Sequence, residues 1–77
     1  MTLKDLLPGE QGIIIMISAK GALLRRMLDM GISKGKQVKV ERIAPLGDPL
    51  EIVVKGCHIT LRKNEAAYIK VEKKEKR

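Results

Sequence analysis

A chain of 77 residues with 44% hydrophobic content, one Tyr and no Phe or Trp makes a single small domain with an aliphatic core. A domain of this size buries only roughly 60% of the surface its unfolded chain exposes, which excludes a large active-site cleft. The formal net charge of +7 points to an acidic partner, a nucleic acid or an anionic surface, but residues 73–77 hold four basic groups and one acid, so the body is only mildly basic.

The longest apolar run, residues 13–17, is far shorter than the ~20 residues of a bilayer span, and no basic-then-apolar secretory pattern opens the chain. A lone cysteine, Cys57, fits a reducing compartment. A cytoplasmic protein without membrane insertion is expected, with Cys57 as a buried, inert thiol. From the N-terminus, Leu3, Leu6 and Leu7 form an apolar lid before the turn signal Pro8-Gly9-Glu10. A first strand follows, with Ile13, Ile15 and Ile17 on one face, Ile14 and Met16 on the other, and both faces expected to be covered.

Around Gly21 the period changes. Leu23, Leu24, Met27 and Leu28 make one helical stripe, with Arg25, Arg26 and Asp29 opposite and Gly31 placed to end the helix in the left-handed conformation. Asp29 is spaced to pair with either arginine. A second strand, Gln37 to Ala44, leads into Ala44-Pro45-Leu46-Gly47-Asp48-Pro49 and out to a third strand, Leu50 to Val54. If Lys55-Gly56 is a two-residue hairpin turn, Val54 faces Cys57, Ile52 faces Ile59 and Leu50 faces Leu61, which makes one face wholly apolar. Val53 then faces His58, and Glu51 faces Thr60. Past Arg62, expected at the rim, residues 63–67 suit a single helical turn before a last strand, Tyr68 to Val71. Glu72 onward has no apolar residue and is expected to fray. The fold class is therefore mostly β: a small SH3-like barrel of about five strands, closed on its own edges, with one short helix inserted after the first core strand. The domain spans residues 1–72, with a basic disordered tail over 73–77.

Catalytic constellations are missing. His58 and Cys57, as strand neighbours, point to opposite faces, and one Cys with one His cannot close a zinc site. Asp48 or Glu51 with His58 have no spacing that selects them as an iron set, and Met16, Met27 and Met30 read as core filler. No catalytic residue, no metal site and no cofactor is expected, so the chain is not read as an enzyme. Residues 31–37, Gly-Ile-Ser-Lys-Gly-Lys-Gln, superficially resemble a phosphate loop but lack one spacer and carry Gln37 where Ser or Thr must bind magnesium, so nucleotide binding of that type is not supported. Residues 8–14 resemble the start of a KOW-type ribosomal module, which makes a nucleic-acid-binding β-barrel the alternative reading. With Tyr68 as the only aromatic there is little to stack bases on, and nucleic acid is disfavoured.

Four segments together, Leu3-Lys4-Asp5-Leu6 with Pro8-Gly9-Glu10, residues 24–32 with Gly35, the hexapeptide 44–49, and Gly56 with Leu61-Arg62-Lys63 and Glu65-Ala66, resemble the FeoA family. These are small cytosolic proteins that accompany the bacterial ferrous-iron permease FeoB. The match covers about residues 3–72; Met27 stands where the family commonly has Leu, a volume-conserving change. The resemblance implies an SH3-like accessory or regulatory module of ferrous iron transport, with the cytosolic region of FeoB as partner. Similar domains also end iron-dependent repressors, but those carry a helix-turn-helix domain and metal-ligand clusters lacking here. From the residues themselves, the partner contact is assigned to Leu46, Gly47 and Asp48 of the loop and to Arg25 and Arg26 of the helix. A plain rigid strand connection and a solvated helix face are the competing readings of these two places.

Overall fold

Along residues 1–74, the part of the chain that the computed structural model describes, a 3-10 turn at Leu3–Asp5 precedes β1 (Gln11–Ile17), α1 (Gly21–Asp29), β2 (Gln37–Ile43), β3 (Leu50–Val54), β4 (Cys57–Leu61), α2 (Lys63–Ala66) and β5 (Ile69–Lys74). The strands form one antiparallel sheet in the order β4-β3-β2-β1-β5. The expected five strands and early helix are present. Strand pairing, however, leaves β4 and β5 as edges. The gap between them is bridged by α2, which packs on the N-terminal turn, and that turn in turn packs on β5, where Val71 N–H donates to the Met1 carbonyl at 3.1 Å.

The hairpin of β3 and β4 has the expected register, Leu50 to Leu61, Ile52 to Ile59 and Val54 to Cys57. Lys55 and Gly56 both have positive φ, 50° and 79°, the two left-handed residues that a tight primed turn demands. All of Leu50, Ile52, Val54, Ile59 and Leu61 are buried. Cys57 is exposed, contrary to expectation: it follows the turn on an edge strand, where no layer reaches over the hairpin's end.

Helix α1 ends as its glycine requires. Gly31, at φ 90°, donates its N–H to the Leu28 carbonyl at 3.0 Å, and the Ile32 N–H reaches the Met27 carbonyl at 2.9 Å, which is the pair of bonds of a Schellman motif. Met27 and Ile32 are both fully buried, supplying the apolar contact that accompanies this cap. Leu23, Leu24 and Met30 pack around them, whereas Leu28 is 49% exposed. The stripe is narrower than expected, because a nine-residue helix against a small sheet buries little more than the ~100° arc centred between Leu23, Leu24 and Met27.

Strand β1 departs furthest from its reading. Its pairing with β2 stops at Ile13, and a register shift against β5 between Ile14 and Met16 interrupts the alternation. Ile14 is buried, but Ile15 and Met16 are exposed, so one end of β1 has only one covered face. Leu7 is likewise exposed beyond the buried Leu3 and Leu6. Strand β2 ends at Ile43, one residue early. At the C-terminus the ladder runs past the expected fraying point: Glu72, Lys73 and Lys74 pair with Ile13, Gly12 and Gln11. An ion pair of Lys73 with Glu10 holds this extension to the turn before β1, and Glu10 also accepts the Leu7 N–H at 2.7 Å. The remaining tail, residues 75–77, lies outside the described residues.

Truncating the centre of the hairpin tests this core. Ile52→Ala should destabilise by about 2–5 kcal/mol, and Ile59→Ala, 8% exposed on the edge strand, by an amount toward the lower end. Urea-unfolding midpoints would measure both, and a loss below about 1 kcal/mol for Ile52→Ala would contradict the packing described.

Acid provides a second test. The Lys73 ammonium and the Leu7 N–H hold the Glu10 carboxyl below its ordinary value of 4.5. A carboxyl lowered in the folded state stabilises the fold above its unfolded pKa and loses that contribution as the pH falls through the folded value. Stability should therefore be level from neutral pH down to about 5 and drop below about 4.5, and Glu10→Gln should make that drop shallower.

Candidate interaction surface

The loop between β2 and β3 is closed at its base by the Ala44 N–H on the Pro49 carbonyl at 3.1 Å, and within by the Gly47 N–H on the Ala44 carbonyl at 2.7 Å. Pro45 and Gly47 take the second and fourth places of that turn, the positions each favours. The Asp48–Pro49 peptide is cis. Leu46, at the tip, is 98% exposed. Asp48 does not simply project into water: its Oδ1 accepts the Lys63 backbone N–H at 2.9 Å. Lys63 is the first residue of α2, so a carboxylate from a remote loop satisfies a donor that the helix itself leaves unpaired.

Helix α2 is tied a second time through Glu65. Its Oε1 accepts the Arg62 N–H at 3.0 Å, closing the first turn, while its Oε2 pairs with the Arg26 guanidinium of α1. Arg26 is thus engaged within the domain rather than with Asp29. Arg25 is exposed and takes part in none of the ion pairs formed among the described residues. Of the five residues singled out from the sequence, Leu46 and Arg25 present free side chains, Gly47 shapes the turn, and Asp48 and Arg26 converge on α2 from opposite partners. Arg62 lies at the junction of β4 and α2. The residues that sequence reasoning passed over are Lys63 and Glu65. A Glu three places after the residue preceding a short helix is a recognisable capping signal, but its bond to Arg26 spans 39 positions and leaves no local trace.

Between the loop and α2 lies an open depression of about 620 Å³ lined by Lys4, Asp48, Arg62, Lys63, Asn64 and Tyr68. Its lining combines three basic side chains, one carboxylate and Tyr68, and among the described residues it brings no nucleophile beside a base. On the outer face of the hairpin His58 stands opposite Val53 as expected, with Nδ1 3.0 Å from Glu51 Oε2, and Arg42 donates to Glu51 Oε1 at 2.9 Å. The His58 imidazole and the Arg42 guanidinium together hold the Glu51 carboxyl below the usual range. Cys57 is on the other side of the strand from this pair. Among the described residues no group of three or more His, Cys, Asp or Glu is placed to hold a metal ion, and no helix is long and apolar enough to cross a membrane.

A family model described as the FeoA domain matches residues 1–73. The chain is 36% identical over 72 residues to the Fe(2+) transport protein A/Fe(2+) transporter FeoB fusion protein of Porphyromonas gingivalis (strain ATCC BAA-308 / W83), a match covering 94% of this chain and 8% of the fusion protein. The solution structure of iron(II) transport protein A from Clostridium thermocellum superposes with a TM-score of 0.92 at 37% identity, over 95% of this chain and 45% of that one. The crystal structure of Stenotrophomonas maltophilia FeoA complexed with zinc, described as a prokaryotic SH3 domain protein, superposes with a TM-score of 0.82 at 29% identity, over 94% and 89% of the two chains. The chain therefore spans less than a tenth of the length of that fusion protein, and the fold is SH3-like. From the N-terminal turn to the extended β5, it belongs to the FeoA domain family.

Proposed function

We propose that this domain is a non-catalytic protein-interaction module of ferrous iron transport, acting in the cytoplasm on the cytosolic region of an FeoB transporter. The observation that carries the reading is the fusion: in the Porphyromonas relative, a segment 36% identical to this chain is continuous with the transporter. The geometry supports a contact through the loop and the adjoining helix face. Leu46 is held in water on a loop stiffened by two backbone bonds and anchored to α2, so its ordering cost is met before binding. Arg25 supplies a charge on the exposed side of α1. Asp48 and Arg26 act as positioning residues, fixing the loop and α1 against α2.

Substitutions separate contact from positioning. Leu46→Ala should leave stability within about 0.5 kcal/mol, since the side chain touches almost nothing in the domain. Calorimetric titration of the FeoB cytosolic region should show Leu46→Asp and Arg25→Glu each weakening binding by about tenfold, an interface loss of about 1.4 kcal/mol. Binding equal to that of the parent in both variants would displace the contact surface.

Asp48→Ala should behave differently, lowering stability by about 1 kcal/mol through the uncapped Lys63 N–H. Amide exchange at Lys63 would rise at the same time. A variant as stable as the parent and unchanged in that exchange would show that Asp48 is not a structural tie. The charge-based alternative predicts affinity for any polyanion that falls steeply with salt. Binding of RNA at low salt that is lost steeply as salt rises, with no binding to FeoB, would replace the present reading.

A further inference from the structure

At the end of β2 and β3 remote from the loop, two turns face each other across a depression of about 510 Å³. On one side the Gly35–Gln37 segment is fastened to β1 by the Gly35 N–H on the Ile14 carbonyl at 2.7 Å and the Ile14 N–H on the Lys36 carbonyl at 2.9 Å. On the other is the Lys55–Gly56 turn. Lys36, Lys39 and Lys55 line the space, and among the described residues no carboxylate does. Lys39 also pairs at 3.8 Å with Glu41, a residue outside the lining. Gln37 forms part of the wall, fixed by Gln11 and by Lys74, whose Nζ lies 3.3 Å from its amide oxygen.

Two features mark this as more than a solvated basic face. Long lysine side chains are free to swing apart, yet Lys36 and Lys55 line the same depression from its two turns, and the proximity of Lys55 holds Lys36 below the ordinary lysine range. Lys55 is moreover the one non-glycine residue at positive φ among the described residues, at a turn position where Asn, Asp or Gly would sit with less strain. A backbone outlier that presents a charge beside a like charge is a reason to look for the group that would lie between them.

We propose that this depression is a binding site for a compact multivalent oxyanion of the phosphate class, with Lys36 and Lys55 as paired cationic ligands and Lys39 on a third side. An anion between the two ammonium groups replaces their repulsion by two charge-assisted hydrogen bonds. Gly35 and Gly56, open on the side where a Cβ would project, let it approach the backbone closely. The site differs from a magnesium-nucleotide loop: Gln37 follows Lys36 and the segment enters a strand rather than a helix. It is thus a metal-free oxyanion site, and it stands independently of the FeoB reading.

Titration of the intact protein with inorganic pyrophosphate, without magnesium, tests it by amide NMR. Saturable one-to-one shifts are expected at Gly35, Lys36, Lys55 and Gly56. Lys36→Gln with Lys55→Gln should weaken binding at least tenfold, Lys36→Arg with Lys55→Arg should largely retain it, and the remote pair Lys4→Gln with Lys63→Gln should change it by less than twofold. Competition by ADP would support the site with an esterified phosphate as the source, and binding of pyrophosphate but not ADP would support it with a free oxyanion. Shifts that do not saturate, or an equal loss in the remote pair, would overturn the proposal as diffuse charge attraction.

Discussion

The inward alternation of β3 is the constraint on which the rest of this domain depends. Leu50, Ile52 and Val54 are buried while paired to β2 on one side and β4 on the other, so a one-residue slip in either ladder would place the strand's apolar set in water. Register is secured at both ends, by the tight Lys55–Gly56 turn and by the loop that Ala44 and Pro49 close. No aromatic side chain is available to span the interior, so the sheet must curve until aliphatic side chains from β1, β3 and β5 meet Met27 and Ile32. The register shifts in β1 and β2, near Ile15 and Glu41, are the irregularities that give a sheet such local bend and twist.

Around that core, the four-residue α2 carries connections out of proportion to its length. A helix so short has no stability of its own. Its own Ala66 is buried, Glu65 closes its first turn and reaches Arg26, and Asp48 satisfies Lys63. The same charges that mark the loop and α1 as chemically distinct in the sequence are therefore partly spent on joining three segments into one rigid face. Their removal disturbs the geometry of that face before it removes any contact with a partner.

Much of the fold was legible because local rules and core patterning agree. The hairpin register follows from which pairing makes one face apolar, and Gly31 ends its helix at the one place where a left-handed residue is required. What the sequence could not convey is how far cover extends. Periodicity assigns Leu28, Ile15 and Cys57 to a side, but whether that side is roofed depends on elements distant in the chain, and in each case the roof stops short. Conversely, polar composition made Glu72, Lys73 and Lys74 look like the start of a tail, yet their backbone pairs with β1, and Lys73 and Lys74 add bonds to Glu10 and Gln37 that lie far away in the sequence. Of the candidate site, the special character of the loop was legible from its prolines and glycine; the bonds of Asp48 to Lys63 and of Arg26 to Glu65, 15 and 39 positions apart, were not.

The β2–β3 ladder also separates two kinds of surface chemistry. At the Ile43–Leu50 end stands an exposed leucine on a stiff loop; at the Val38–Val54 end stand Lys36, Lys39 and Lys55. Four intervening steps along β3 at ~3.4 Å each put these ends on the order of 14 Å apart. Both ends belong to one continuous ladder, so the separation of the loop from the lysine-lined turns is set by the length of the paired strands.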